Sequence, residues 1–138
     1  MRKYELIEEP KRRDGHILHR LIAVRDFGNV KRGDLGGLIE KEGNLSHDGT
    51  AWVYFGARAF ENARISENAQ IYDNARVFGN ARVYGNAIIC DKAKVGGNAK
   101  VGGNTKIWGK AIVYCDYCDA EIYPNMIFCS NLNDEKAD

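Results

Sequence analysis

The chain has 138 residues, 44% of them hydrophobic, with a mean hydropathy of -0.45. That suits one domain, and no apolar run approaches the ~20 residues of a membrane-spanning helix. Twenty Lys/Arg stand against nineteen Asp/Glu, so a net charge of +1 makes no general case for a nucleic-acid polymer.

The N-terminal residues Met1-Arg2-Lys3-Tyr4-Glu5 carry no apolar segment of the signal-peptide kind, so a cytoplasmic protein is expected. Residues 2–9 and 16–24 alternate polar and apolar enough to form two strands, joined by Pro10 to Gly15, and residues 1–19 read as an N-terminal strand cap. Residues 20–48 read as an irregular first coil. There Val24 and Val30 are six apart, as are Ile39, Leu45 and Ala51, and Gly33-Asp34-Leu35-Gly36-Gly37 forms a turn or small excursion.

From residue 49 to 114 the period is exact. Alanine recurs every six residues from Ala51 to Ala111, with Thr105 in the one gap. Two residues after each comes a second column running Val53, Ala59, Ile65, Ile71, Val77, Val83, Ile89, Val95, Val101, Ile107, Val113. Small-x-aliphatic is a short strand whose two flanking residues point inward, and Val and Ile suit a pleated, half-buried surface. Six residues make one flat side and one corner of a triangular coil. Position n then stacks on n+18 at the ~4.8 Å strand spacing. Asparagine precedes the alanine at 62, 68, 74, 80, 86, 98 and 104. These asparagines are expected at corners, where φ turns positive, stacked as amide ladders.

After Val113 the phase slips by three. Ala120-Glu121-Ile122 and Met126-Ile127-Phe128 restart the pattern, so residues 115–129 read as a phase-shifted last coil. Residues 130–138 are polar and acidic, and a frayed tail is expected. Charge is uneven along this plan. Residues 49–114 hold nine Lys/Arg and four Asp/Glu (+5), whereas 115–138 hold one Lys and six Asp/Glu (−5).

The unit seen in Val77-Phe78-Gly79-Asn80-Ala81-Arg82 resembles the hexapeptide repeat of the left-handed β-helix family. The fold expected is therefore all-β, a left-handed parallel β-helix, or triangular β-solenoid, behind an N-terminal strand cap. Periodicity supplies the short-period solenoid; the resemblance supplies its hand, an exception to right-handed crossovers. The N-terminal block resembles a narrower group. Tyr4 to Pro10, Ile22 to Phe27, Val30-Lys31, Gly33, Gly36-Gly37 and Asn44-Leu45-Ser46 are similar to the entry segment of enterobacterial YdcK-type proteins, which carry a transferase label, and of small phage and prophage hexapeptide proteins.

Folding the sequence at eighteen gives three outward surfaces. The first carries Trp52, Gln70, Ile88 and Lys106 beside Tyr54, Tyr72, Cys90 and Trp108. Trp52, Tyr54, Tyr72, Ile88 and Trp108 are expected to form an interface, since large apolar patches mark contacts. The family resemblance implies a homotrimer. The second surface carries Arg58, Arg76, Lys94 and Ile112 beside Phe60, Phe78, Gly96 and Tyr114; the third carries Arg64, Arg82 and Lys100 beside Ser66, Tyr84 and Gly102. Like charges one strand apart repel, so two basic columns are either solvated stems or a site for an anion. Arg58, Arg76, Lys94, Arg64, Arg82 and Lys100, with Phe60, Phe78 and Tyr84, suit a phosphate together with a stacked planar base.

Hexapeptide acyltransferases use a histidine as general base, but this chain has only His16, His19 and His47, all before the regular coils. His47, beside Asp48, is the fallback catalytic residue. Cys115, Cys118 and Cys129 offer three of the four ligands of a zinc site, a weak pattern without a second pair, so no metal or cofactor is expected. The leading reading is a non-catalytic homotrimer that binds an anionic, nucleotide-like small molecule near its subunit interfaces, in the setting of a phage-type protein that sequesters a host defence signal. A hexapeptide-class acyltransferase and a ligand-free assembly module are the alternatives.

Overall fold

The computed structural model describes residues 2–115, 121–122 and 127–130. The molecule is an all-β solenoid of parallel stacked coils with three flat sheets. The first sheet stacks the strands Trp52–Val53, Gln70–Ile71, Ile88–Ile89, Lys106–Gly109 and Ile127–Ser130. The third stacks Arg64–Ile65, Arg82–Val83, Lys100–Val101 and Glu121–Ile122. The second is longer: β1 (Tyr4–Arg13), β2 (His16–Ala23) and β3 (Leu35–Ile39) precede Arg58–Ala59, Arg76–Val77, Lys94–Gly97 and Ile112–Cys115.

The eighteen-residue stacking is explicit in the register. Trp52 pairs with Gln70, Arg58 with Arg76 and Arg64 with Arg82, all in parallel. The inward columns are closed to solvent: Ala51 through Ala111 and Val53 through Val113 are buried. Thr105 sits fully buried in the alanine column because its hydroxyl donates to Gly102 O at 2.7 Å.

Two ends depart from eighteen. β3 pairs in parallel with the second sheet, Leu38 against Arg58 and Ile39 against Ala59, while Leu45 bridges Ile65. Both offsets are 20 residues, so the first coil holds two extra. At the other end Lys100 pairs with Glu121 and Ile107 with Phe128, both offsets 21, three more than the regular repeat. Cys118 and the 131–138 tail lie outside the described residues, as do the side chains of Cys115 and Cys129.

The cap differs in detail from its expected form. β1 runs through Pro10 to Arg13, and the reversal is the two-residue turn Asp14-Gly15 with φ of 53° and 79°, a hairpin turn matched to strand twist. Pro10 sits where the pairing register shifts between Ile7 and Lys11, a place that tolerates its missing N–H. One half of the hairpin plugs the solenoid with Tyr4, Leu21 and Ala23. The other half folds onto the second face, where Leu18, Leu38 and Phe60 form a small separate core with Phe78 against it. Lys3 is fully buried in the plug, and its ammonium donates to Ala51 O at 2.7 Å and Gly49 O at 3.4 Å. Buried Asn44 is satisfied four times: it accepts from the amides of Glu40 and Lys41 and donates to Glu61 O and Ala63 O.

The corners also differ. No asparagine among the described residues has positive φ. The left-handed residue is the one before it, either glycine or a carboxylate such as Glu61 (57°), Glu67 (59°) and Asp73 (59°). The strain is offset because each carboxylate accepts an amide one coil on: Glu61 from Gly79 and Glu67 from Gly85 at 2.8 Å, Asp73 from Asp91 at 2.9 Å. The asparagines are freed for ladders. One runs Asn62, Asn80, Asn98, and another Asn68, Asn86, Asn104, at 3.1–3.3 Å.

Candidate functional site

The hairpin decides which outward columns remain available. At its tip the Asp14 carboxylate accepts from Arg58 Nη1 at 2.9 Å and lies 3.5 Å from Arg76 Nε. Two of the three cations in the second column are therefore already paired within the chain. His16 adds to this enclosure, 3.4 Å from Glu40 and 3.3 Å from Glu61, with its ring 5.0 Å from that of Phe60. Phe60 is only 6% exposed, so the expectation that it stacks on a ligand base is corrected: Leu18 and Leu38 cover it. Phe78 stacks on Phe60 at 5.5 Å and lies over Gly96, where a Cβ would come within 2.4 Å of the ring. A groove of about 620 Å³ remains there, lined by Arg76, Phe78, Lys94 and Tyr114 but also by Asp14 and Glu61.

The third face is different. Arg64, Arg82 and Lys100 stack in register and line one groove of about 580 Å³ with Ser66, Tyr84 and His47, and with Glu42 and Glu67 at its edge. Among the described residues no carboxylate forms an ion pair with Arg64 or Arg82, both of which are exposed. Tyr84 lies flat because Gly102 has no side chain; a Cβ there would come within 2.3 Å of the ring. The ring lines the groove beside the cations. Backbone pairing places Glu121 next in the basic column after Lys100.

His47 sits at the groove rim with both ring nitrogens engaged. Its Nδ1 accepts the Lys3 amide at 3.0 Å, which leaves Nε2 protonated and donating to Glu42 Oε1 at 2.9 Å. Its ring stacks on Tyr4 at 4.0 Å. The His47 hydrogen bond, seconded by Arg2, holds the Glu42 carboxyl below the usual carboxylate range. This arrangement fastens the plug to the first coil, and the lone pair that a general base needs is already occupied.

The first face is less open than expected. Trp52 is 1% exposed, and the interface role expected of it is corrected: the Phe27 ring meets it edge-on at 5.2 Å and Tyr4 at 6.4 Å, so it is already covered within the chain. Gly36 lies against it so closely that a Cβ would come within 2.7 Å of the indole. Tyr54 is half-buried, stacked on Tyr72 at 4.3 Å, and Tyr72 donates to Gln70. Ile88 is half-buried and Trp108 exposed. Asp73, Cys90 and Asp91 bring ligand atoms together at the next corner. Both carboxylates there are already bonded to amides, of Asp91 and Gly109. The proposed zinc ligands Cys115, Cys118 and Cys129 fall where no side chain is described.

Asp14, Glu42 and the corner lysines Lys92 and Lys110 were not singled out from sequence. The lysines had a signal, since they stand at two positions of the asparagine column. Asp14 had none, because its partners lie 44 and 62 residues away.

Residues 69–85 and 75–91 match the family model of the YdcK β-solenoid repeat. The "Uncharacterized acetyltransferase YdcK" of Escherichia coli (strain K12) is 39% identical over 62 residues, a match covering 39% of this chain and 19% of that protein. Residues 69–91 are thus similar to YdcK-type β-solenoid repeats, and the matched part spans about a fifth of the relative's length.

Proposed function

We propose that this protein is a non-catalytic binding module whose third-face groove holds an anionic, nucleotide-like small molecule. One observation carries the reading: Arg64, Arg82 and Lys100 line a single groove with Tyr84, and among the described residues neither arginine forms an ion pair, while two of the three cations of the equivalent column on the second face are paired with Asp14. Repelling cations at strand spacing are costly unless an anion joins them. Guanidinium groups take a phosphate in a fixed fork, and the tyrosine offers a face for a base. In the phage-type setting that the N-terminal block resembles, such a groove would sequester a nucleotide signal of host defence. The chain assembles as a homotrimer through what remains open of the first face, Tyr72, Ile88 and Trp108. Among the described residues no helix is long and apolar enough to cross a membrane. Titration with linear and cyclic nucleotides tests the binding, and Arg82→Ala should abolish most of it. Sedimentation tests the assembly, with a monomer at micromolar concentration counting against the trimer.

A second reading is acyl transfer, favoured by the printed name of the YdcK relative. It requires a base, and His47 is the histidine at the groove. Acyl-CoA turnover that is lost in His47→Ala but kept in Glu42→Gln would favour this reading. Turnover unaffected by His47→Ala would remove the histidine from it.

A further inference from the structure

We propose that the solenoid corner bearing Lys92 and Lys110 is a second anion site, built for an oligophosphate of the pyrophosphate class. It shares no residue with the third-face groove. At the other two corners asparagines stack into ladders, in which each amide donates to the next. At this corner Asn74 is followed, one and two coils on, by Lys92 and Lys110. Lysine has three donors and no acceptor, so the ladder cannot continue. Two ammonium groups stand in its place, one strand spacing apart.

The neighbouring carboxylates of Asp73 and Asp91 line an adjoining pocket with Lys92 and Lys110 but form no ion pair with them. Asp73 and Asp91 are adjacent in the corner, but each accepts a backbone amide of the next coil at 2.9 Å. Among the described residues Lys92, Lys94 and Lys110 form no ion pair. A groove of about 370 Å³ opens between Asn74, Arg76, Lys92, Lys94, Lys110 and Ile112. Lys92 with Lys110 and Lys94 with Arg76, which keeps its Asp14 contact at 3.5 Å, make two rows of cations along the prism axis. Each row spans two coils, which suits a group carrying two or more linked phosphates better than a single one. Among the described residues no carboxylate lines this groove.

The test uses the full chain at physiological salt, titrated with inorganic pyrophosphate, tripolyphosphate and monophosphate, with NMR shifts assigned to each lysine. Pyrophosphate and tripolyphosphate are expected to shift Lys92, Lys94 and Lys110 with sub-millimolar affinity, and monophosphate to bind at least tenfold more weakly. Lys92→Asn/Lys110→Asn restores the ladder Asn74–92–110. It is expected to lose at least tenfold in affinity and to unfold at a higher temperature than wild type. Lys110→Gln serves as a milder second variant and should lose part of the affinity. Equal binding by the asparagine variant, equal affinity for monophosphate, or shifts confined to Arg64, Arg82 and Lys100 would each overturn the proposal.

Discussion

Asp14 Oδ2 lies 2.9 Å from Arg58 Nη1, and this contact spans 44 residues of sequence to join the hairpin tip to the flat second face. With the Arg76 contact at 3.5 Å it ties two of the three cations of that column to one carboxylate. The ion pair is largely shielded, with side chains 23% and 21% exposed, so it is worth more than a solvated surface pair. Asp14→Asn should lower stability by about 1 kcal/mol. It should also create phosphate binding at Arg58 and Arg76, seen as new NMR shifts at those two residues. Unchanged stability together with unchanged shifts would show that the tip contact does not organise this face.

Lys3 gives the cap a pH signature. Burial is the main cause that pulls its ammonium down to about 8, with Arg25 adding to it. The folded pKa is below the unfolded one, so the buried charge penalises the fold at neutral pH, and the penalty lifts as pH rises through 8 towards 10.5. Stability should therefore increase by about 2 kcal/mol between pH 7 and 9.5. Tyr4 works in the opposite direction, because burial raises its hydroxyl pKa, but only above pH 10. Urea midpoints of wild type and Lys3→Met, compared at the two pH values, check this. The variant should lack the lysine's share of the rise, and parallel curves would contradict it.

The inward column predicts a sharp asymmetry between neighbours. Val83 is fully buried and Arg82 exposed. Val83→Asp places an unpaired carboxylate in the prism and should cost at least about 3 kcal/mol. Arg82→Ala should change stability by less than about 0.5 kcal/mol. Thermal unfolding of the two variants is the check, and similar losses in both would contradict the assignment of inward and outward positions.

The coils were legible because their constraint is local and repeated. A small residue and an aliphatic two apart must face inward at every turn, and eighteen-residue stacking follows from three sides. The three-residue slip after Val113 could be read for the same reason, since it shows as a phase change. What sequence could not show were the contacts made by the irregular segment. Trp52 looked outward by its place in the repeat and is outward on the sheet, but Phe27 and the Gly36 of β3 that cover it come from an irregular segment with no period to locate it. Asp14 is one of many surface carboxylates until the hairpin is laid on the second face. The two basic columns, equivalent in sequence, became unlike only through that hairpin. The corner carboxylates were hidden differently: Glu61, Glu67 and Asp73 adopt a backbone conformation usually left to glycine, and their compensation comes from amides a full coil away.

The most direct test is calorimetric titration of the third-face groove. Purified wild type, Asp14→Asn and the Arg64→Ala/Arg82→Ala double variant are each titrated with linear and cyclic nucleotides at physiological salt. Wild type should bind at least one nucleotide with Kd at or below about 100 µM, near −5.5 kcal/mol. The double variant should lose at least tenfold, and Asp14→Asn should keep the wild-type affinity for that ligand. No heat at ~100 µM, or a double variant that binds as tightly as wild type, would contradict the account.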